Sequence, residues 1–264
     1  MIPSKDILLK AAIRAVLSAA RVVEESRENR AVQHKGSLRD IVTQADLDSS
    51  RLLQEHLRPT GIVVISEENT DGADGQSPTF TPDTFWAVDP IDGTANFAHG
   101  LHQFAICAGL VEQGDFQLGV VCAPALDEFY CTTIGHEVLL NGRTFTHTHR
   151  QPTESLLAAS LPAAAPRACY DLFQKANETT RGCLRTGSAA LNICWTASGK
   201  LQGAFGFGAR VWDVAGALAI ARAAGCEILV RHRKDLLTLD YCAGSQDVVR
   251  HIMHLANQHG VWNE

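Results

Sequence analysis

The sequence lacks an excess of basic residues. Among its 264 residues, 23 are Lys or Arg and 29 are Asp or Glu, which gives a formal net charge of −6 at pH 7. This balance opposes the broad neutralisation of phosphates that nucleic-acid binding requires, so we expect no nucleic-acid polymer as a partner. If the ligand is a phosphate, another source must supply the positive charge.

Several common motifs are also absent. The eight cysteines form no CxxC pair and no zinc-like spacing, so we expect buried, reduced thiols. The glycine-rich stretch 203–208 has no GxGxxG form and is not predicted to be a dinucleotide loop. The pairs His147/His149 and His251/His254 have no third ligand nearby in sequence, and we expect structural or surface roles for them.

No hydrophobic run reaches the length of a membrane span. The opening segment is apolar, but Lys10 and Arg14 interrupt it and its apolar residues recur at helical spacing. An amphipathic surface helix therefore fits better than a signal peptide. We expect a soluble, cytoplasmic protein with no membrane partner.

The order of the patterns predicts an α/β architecture. Hydrophobic residues make up 45% of the chain, enough for one large core or two smaller cores. The first half indicates a helix pair followed by strands, with a hairpin across residues 104–123. After Pro152, helical and strand patterns alternate, which is typical of a partly parallel sheet covered by helices.

The densest chemical pattern is Asp89-Pro90-Ile91-Asp92-Gly93-Thr94-Ala95-Asn96, directly after the apolar run 86–88. Two carboxylates follow the end of a predicted strand, and Pro90 restrains the backbone between them so that both can point into one cavity. Gly93 permits close approach by a ligand. A helix that begins near Thr94 would add free amides for a phosphate.

Three further acidic positions lie in other segments: Glu67 after a short strand, Asp46 in the segment 40–46, and Asp213 before a helix. An Asp before a helix is usually an N-cap, and an Asp-Gly pair usually only makes a turn, so Asp213 or Asp46 by itself favours a structural role. Acids from four separate segments that converge would repel one another unless cations were bound. Hard oxygen ligands select magnesium or manganese over zinc.

These segments resemble the inositol monophosphatase family. Residues 86–96 are similar to its signature, and Trp212-Asp213-Val214-Ala215-Gly216 is similar to its second, C-terminal signature. The resemblance extends to residues 35–46, 66–68 and 185–190, so it covers most of the chain. It implies the sugar phosphatase fold, an α-β-α-β-α layered α+β sandwich. We expect an N-terminal α+β subdomain over residues 1–150, with an antiparallel sheet, and a C-terminal α/β subdomain over residues 151–264.

The resemblance also implies hydrolysis of a small phosphate ester with up to three Mg²⁺ ions, with Mn²⁺ as a possible substitute. Glu67, Asp89 and the Ile91 carbonyl would bind the first ion, Asp89, Asp92 and Asp213 the second, and Glu67 with water a looser third. The residues that orient the attacking water would be Glu67, Thr94 and Asp46, and the amides of Gly93 and Thr94 would bind the phosphate. Lys35 would help to close a loop, although a lone Lys in a loop is more often simply solvated. The resemblance further implies lithium sensitivity and a homodimer.

The identity of the ester stays open. The positions implied to contact substrate are Ser188, Ala189, Gly206 and Arg210. Where inositol phosphatases carry a hydroxyl-binding Glu, this sequence has Gly206, which weakens the case for a polyol hydroxyl there. Arg210 is interpreted either as a contact for a second phosphate or carboxylate or as a surface residue at a helix start. Nucleoside 3'-phosphates or 3',5'-bisphosphates, histidinol phosphate and sugar phosphates are alternatives on the same site, and a non-catalytic regulatory protein is an alternative of another class.

Overall fold

A computed structural model describes residues 3–28, 30–37, 40–69, 82–133, 137–162, 164–235 and 237–262. Within these ranges the chain forms helices that alternate with strands along its length. The helices are α1 (Lys5–Glu25), α2 (Gln44–Leu57), α3 (Thr94–Ala98), α4 (Arg167–Thr179), α5 (Ala189–Ala197), α6 (Val211–Ala223) and α7 (Gln246–Gln258).

The strands form a short hairpin and two larger sheets. They are β1 (Val32–Ser37), β2 (Asp40–Thr43), β3 (Val63–Ser66), β4 (Thr84–Asp92), β5 (Ala105–Glu112), β6 (Asp115–Ala123), β7 (Glu128–Thr133), β8 (Leu139–Leu140), β9 (Arg143–Thr144), β10 (Leu156–Ser160), β11 (Gly182–Leu184), β12 (Gly203–Arg210), β13 (Glu227–His232) and β14 (Thr238–Gly244). β1 pairs with β2. The first large sheet has the order β3-β4-β5-β6-β7-β8-β9, and the second has the order β11-β10-β12-β14-β13.

Helices cover both faces of the two large sheets. α1 and α2 pack on one face of the first sheet, and α6 packs on its other face. α5 and α6 also contact strands of the second sheet, whose opposite face carries α4 and α7. Three hydrophobic clusters fill the spaces between these layers. The result is the expected five-layer α-β-α-β-α arrangement.

The strong sequence patterns correspond to real elements. α1 buries Leu8, Ala12 and Val16 at helical spacing against the first sheet, as its periodicity predicts. The hairpin predicted across residues 104–123 is β5 and β6, and the second sheet is partly parallel, since β10 pairs parallel with β11 and β12. No helix in the described part of the chain is long and apolar enough to cross a membrane.

The sequence patterns did not predict several short or atypical strands. β7 has no regular polar–apolar alternation, and β14 is buried along nearly its whole length. β1 and β2 form a two-stranded ribbon between the first two helices. The stretch 71–82, predicted to be a loop, lies outside the described residues except for Pro82. The division into two subdomains near residue 150 stays a prediction. All eight cysteines are buried and free, as predicted.

Candidate functional site

A bulge at the end of β4 turns two carboxylates toward the same side. Asp89 pairs with Cys107 and Asp92 pairs with Ala105, so β4 has one more residue in this interval than β5. In a regular strand, positions three apart point to opposite faces. Because the bulge adds one residue, Asp89 and Asp92 share a face. Both side chains are buried.

Glu67 is brought to the same place by parallel pairing. β3 runs parallel to β4, with Ser66 opposite Val88, so that Glu67 and Asp89 follow at neighbouring positions of the two strands. The hydroxyls of Ser50 and Ser66 lie 3.0 Å apart, which joins α2 to the end of β3. Ser49 donates a hydrogen bond to the carbonyl of Pro90 over 2.9 Å. α2 therefore holds the ends of both strands.

Asp46 lies in the first turn of α2 and is almost fully buried. One of its oxygens, Oδ2, accepts bonds from the amide and hydroxyl of Thr43, at 2.8 and 2.6 Å. The other, Oδ1, accepts a bond from Thr94 Oγ1 at 2.9 Å. Thr94 Oγ1 also lies 3.0 Å from the Ile91 carbonyl oxygen. The capping role expected of a lone Asp is thus present, but this Asp also contacts the motif 89–96.

Asp92 binds the start of α5. Its Oδ2 accepts hydrogen bonds from the Ser188 hydroxyl at 2.6 Å and the Ala190 amide at 2.7 Å, and its Oδ1 accepts one from the Ala189 amide at 3.3 Å. Amides at a helix N-terminus favour a negative charge. Ser188 and Ala189, predicted to contact substrate, therefore also hold a predicted metal ligand.

Asp213 lies in the first turn of α6, where its Oδ2 accepts a bond from the Arg210 amide at 3.3 Å. The helix lies against the backbone of the first sheet. A Cβ atom on Gly119 would be 1.9 Å from the carbonyl oxygen of Gly216, and a Cβ atom on Gly109 would be 2.5 Å from the nitrogen of Gly216. Only glycine allows this approach, which determines the distance between Asp213 and the sheet.

The carboxylates interact electrostatically. Burial is the largest cause that raises the pKa of Asp89 well above its usual range, and four carboxylates raise it further, in decreasing order Glu67, Asp213, Asp92 and Asp46. Burial also raises the pKa of Asp213, with Asp92 and Glu67 as further causes. Burial raises the pKa of Asp92 to about 6, while its bonds from Ser188, Ala190 and Ala189 oppose the shift. The acids of four separate segments therefore lie within electrostatic reach of one another.

This donor set fits magnesium or manganese. Carboxylate and carbonyl oxygens are the ligands that these hard cations prefer, and a divalent cation relieves the repulsion that raises the pKa values. Among the described residues, no group of three or more His, Cys, Asp or Glu side chains is arranged so that it could hold a metal ion as it stands.

The other predicted positions differ in what surrounds them. Gly93 has a φ of 100°, which favours glycine, and precedes α3. Gly206 is buried, and a Cβ there would be 2.4 Å from the ring of Tyr241. Arg210 is half exposed, donates to Thr238 Oγ1 at 3.0 Å and lies 3.7 Å from Asp235. Lys35 belongs to β1, and its side chain lies outside the described residues.

The structure adds a residue to which the sequence motifs assigned no role. The Asn96 amide donates hydrogen bonds to the carbonyls of Gln103 and Thr186, at 2.6 and 2.8 Å. A Cβ on Gly187 would be 2.5 Å from its Nδ2. Asn96 therefore joins the segment before α5 to the motif 89–96. Its presence at the end of that motif is the only sequence signal that pointed to it.

Comparisons with known proteins agree with this geometry. The model of the inositol monophosphatase family matches residues 4–260. The chain is 33% identical over 227 residues to the Nus factor SuhB of Haemophilus influenzae, covering 83% of each chain. It is 32% identical over 230 residues to the inositol-1-monophosphatase of Mesorhizobium japonicum, covering 83% of this chain and 82% of the relative. The solved inositol monophosphatase of Anabaena has the same fold, with a TM-score of 0.81 at 24% identity, covering 96% of each chain.

Proposed function

The chain belongs to the inositol monophosphatase family, and from this premise we propose that it is a magnesium-dependent phosphatase of a small phosphate monoester. Family membership and the relative named inositol-1-monophosphatase support the phosphatase activity. The observation that carries the dependence on magnesium is the position of Asp89, which is buried and shares a face of β4 with Asp92. Burial raises the pKa of Asp89, and four other carboxylates raise it further. Such a cluster is expected to bind divalent cations.

The residues that would hold the metal follow from this cluster. Glu67, Asp89 and the Ile91 carbonyl would hold one ion, Asp89, Asp92 and Asp213 a second, and Glu67 a looser third. Bound there, Mg²⁺ or Mn²⁺ would lower the pKa of water, neutralise the phosphate and stabilise the leaving oxygen.

The protein's own groups would orient the attacking water. Thr94 Oγ1 donates its proton in a hydrogen bond to Asp46 Oδ1 over 2.9 Å. The oxygen of Thr94 can therefore accept a hydrogen bond from the attacking water. Glu67 is proposed as the second group that orients the water. The amides of Gly93 and Thr94 are proposed to bind the phosphate oxygens as donors. No covalent nucleophile is needed.

The test is hydrolysis of a generic phosphate monoester by the purified protein with added MgCl₂. We expect release of phosphate that requires magnesium and falls more than about a hundredfold in Asp89→Asn, because even groups around metal ligands contribute 10–100-fold. The matched control is Asp247→Asn, an exposed carboxylate on α7, which should keep full activity. Full activity in Asp89→Asn would contradict the metal assignment.

Three further properties accompany this proposal. Magnesium should raise the melting temperature of the wild-type protein, since a ligand that binds only the folded state stabilises it. Magnesium should raise the melting temperature of Asp213→Asn less.

Millimolar lithium is expected to inhibit hydrolysis. A homodimer would have a mass about twice the 28.5 kDa of the chain, which light scattering measures.

A second candidate is a non-catalytic regulatory role, which the relative named Nus factor SuhB supports. The two functions differ in a simple outcome. A folded wild-type protein that hydrolyses no phosphate monoester at any magnesium concentration would favour the regulatory role. Magnesium-dependent hydrolysis that Asp89→Asn abolishes would favour the enzyme.

A further inference from the structure

A cavity of about 280 Å³ adjoins the carboxylate cluster and includes Asp92 and Asp213 in its lining. Its other walls come from the end of β10, the segment before α5 and the end of β12, and they contribute Ser160, Arg185 and Phe207. Among the described lining residues, Asp92 and Asp213 are the only acids and Arg185 is the only base. An ester whose phosphate lies at the cluster would extend its alcohol portion into this cavity.

The hydroxyl of Ser160 is left to donate a hydrogen bond. Tyr241 donates its hydroxyl proton to Ser160 Oγ at 3.0 Å, and the side-chain amide of Asn192 donates to the same atom at 3.1 Å. A serine hydroxyl has two acceptor positions and one proton. Because both acceptor positions are used, Ser160 presents its proton, and the described residues offer no acceptor for it.

The orientation of Asn192 supports this direction. The amide of Ser188 donates to Thr186 Oγ1 at 3.3 Å. The hydroxyl of Thr186 donates to Asn192 Oδ1 at 2.6 Å, a shorter contact than the 3.2 Å to its other acceptor, the Ser188 carbonyl. With its oxygen facing Thr186, Asn192 turns its amino group to Ser160. The hydrogen-bond chain from Thr186 through Asn192 therefore ends at the hydroxyl of Ser160, which is left to donate its own proton.

Tyr241 also occupies the space that a side chain at position 206 would need. It is fully buried, and its Cε1 would lie 2.4 Å from a Cβ atom on Gly206. Position 206 of β12 thus provides no carboxylate side chain that could accept hydrogen bonds from a polyol.

Arg185 supplies a positive charge at the cavity. Its Nη2 donates to the carbonyl of Leu161 at 3.0 Å, which holds the guanidinium against the cavity wall. A guanidinium has five N–H donors, so others remain for a ligand. In the part of the chain that the structure describes, Arg185 forms no ion pair with a carboxylate.

We infer that this cavity binds a phosphate monoester with a second anionic group, a carboxylate or a second phosphate, and that Ser160 and Arg185 recognise that group. The inference rests on the proposed function, because it assumes that the ester phosphate lies at the carboxylate cluster. Donors without a matching acceptor favour an anion over a hydroxyl-rich alcohol.

The test uses substrates that differ in one group. The pair 3-phosphoglycerate and glycerol 3-phosphate exchanges a carboxylate for a hydroxymethyl group, and the pair glucose 1,6-bisphosphate and glucose 1-phosphate adds a phosphate. We expect kcat/KM to favour the more anionic member of at least one pair by about tenfold to a hundredfold, the range for a hydrogen bond to a charged group. Equal values in both pairs would overturn the inference.

Variants assign the preference to its residues. Arg185→Gln should reduce the preference for the more anionic substrate to less than about threefold, mainly through KM, and Ser160→Ala should reduce this preference in part. Arg185→Lys should retain part of the preference. Arg167→Gln, an exposed arginine on α4, is the matched control and should retain all of it. A preference that survives unchanged in both Arg185→Gln and Ser160→Ala would overturn the assignment.

A binding measurement separates this inference from the proposed function. The same compounds are titrated in thermal-shift experiments with magnesium. If the wild-type protein hydrolyses neither these compounds nor the generic phosphate monoester, the proposed function fails. Tighter binding of the more anionic compound that depends on Arg185 would still support the cavity's role. Hydrolysis with neither a kinetic nor a binding preference would overturn the cavity's role alone.

Discussion

The hydroxyl of Thr94 donates a hydrogen bond to Oδ1 of Asp46 over 2.9 Å, although the two residues are 48 positions apart in the chain. The bond joins the first turn of α3 to the first turn of α2. Asp46 is oriented from its other oxygen by Thr43. These two helix starts thus hold the dyad of Thr94 and Asp46 that we propose orients the attacking water.

Replacement of Thr94 by valine should remove this dyad with little change in shape. We expect kcat to fall by about 10²–10⁴, the usual contribution of a positioned proton acceptor. The free energy of unfolding should fall by about 1–3 kcal/mol, because a buried carboxylate oxygen of Asp46 loses the donor Thr94 Oγ1. Steady-state kinetics and urea unfolding measure the two effects.

Thr94→Ser keeps the hydroxyl and is the matched control. It should retain most of the activity. If Thr94→Val were as active as the wild type, Thr94 would not orient the water.

Replacement of Gly119 by alanine should disturb the site from a distance. The added Cβ would be 1.9 Å from the carbonyl oxygen of Gly216, so α6 must move away from the sheet and carry Asp213 with it. We expect the free energy of unfolding to fall by about 1–3 kcal/mol, the usual effect of overpacking. Activity should fall as well, and the protein should need more magnesium for half-maximal rate.

Gly142→Ala provides a comparison, because a Cβ there meets no atom within 4 Å. Its φ of 76° favours glycine, so stability should fall by about 1–2 kcal/mol. The magnesium requirement should not change. An equal change in both variants would show that general destabilisation, not movement of Asp213, is responsible.

Tyr241 and Ser160 should be coupled energetically. Tyr241→Phe removes the donor to Ser160 Oγ but keeps the ring against Gly206, so stability should fall by about 1 kcal/mol. Without this donor the hydroxyl of Ser160 is less restrained, so its proton no longer points mainly into the cavity. The preference for anionic substrates should therefore weaken. A double-mutant cycle with Ser160→Ala should show an interaction energy of about 0.5 kcal/mol or more.

The outcome that contradicts this coupling is additivity. If the two substitutions change stability and the substrate preference independently, Tyr241 fills space under Gly206 without orienting Ser160.

His147 should make the protein less stable in acid. Burial is the largest cause that lowers its pKa, the neighbouring His149 lowers it further, and a hydrogen bond with the Thr196 carbonyl opposes the shift. The folded protein thus holds fewer protons at this position than the unfolded chain, whose histidine has a pKa of about 6.5. The stabilising contribution is present above about pH 6.5 and is lost as the pH falls toward the folded pKa.

Denaturant unfolding between about pH 7 and pH 5 measures this dependence. Relative to the wild type, His147→Gln should show a smaller decline in the free energy of unfolding as the pH falls. His149→Gln, a change at an exposed neighbour, is the control and should retain most of the decline. An identical decline in the wild type and His147→Gln would remove His147 as the cause.

Much of the fold and of the acidic cluster was predictable because its signals are local. Asp89, Asp92 and Gly93 stand within one short motif after an apolar run, and periodicity in α1 shows its buried face. β14 was not predictable, since it is nearly all buried and lacks the alternation of a half-exposed strand. The side chain of Lys35, assigned to a closing loop, lies outside the described residues.

By itself, the sequence determined the family, the layered architecture and the acids of the candidate site, because short motifs and side-chain periods carry that information. Only the tertiary structure decided how the cavity beside these acids is lined. Ser160 and Tyr241 are 81 positions apart, and Tyr241 occupies the space that the missing side chain at Gly206 leaves. It also decided that Arg185 lines the cavity while Arg210 contacts Asp235 and Thr238. Such contacts depend on how distant elements pack, and no local pattern records that packing.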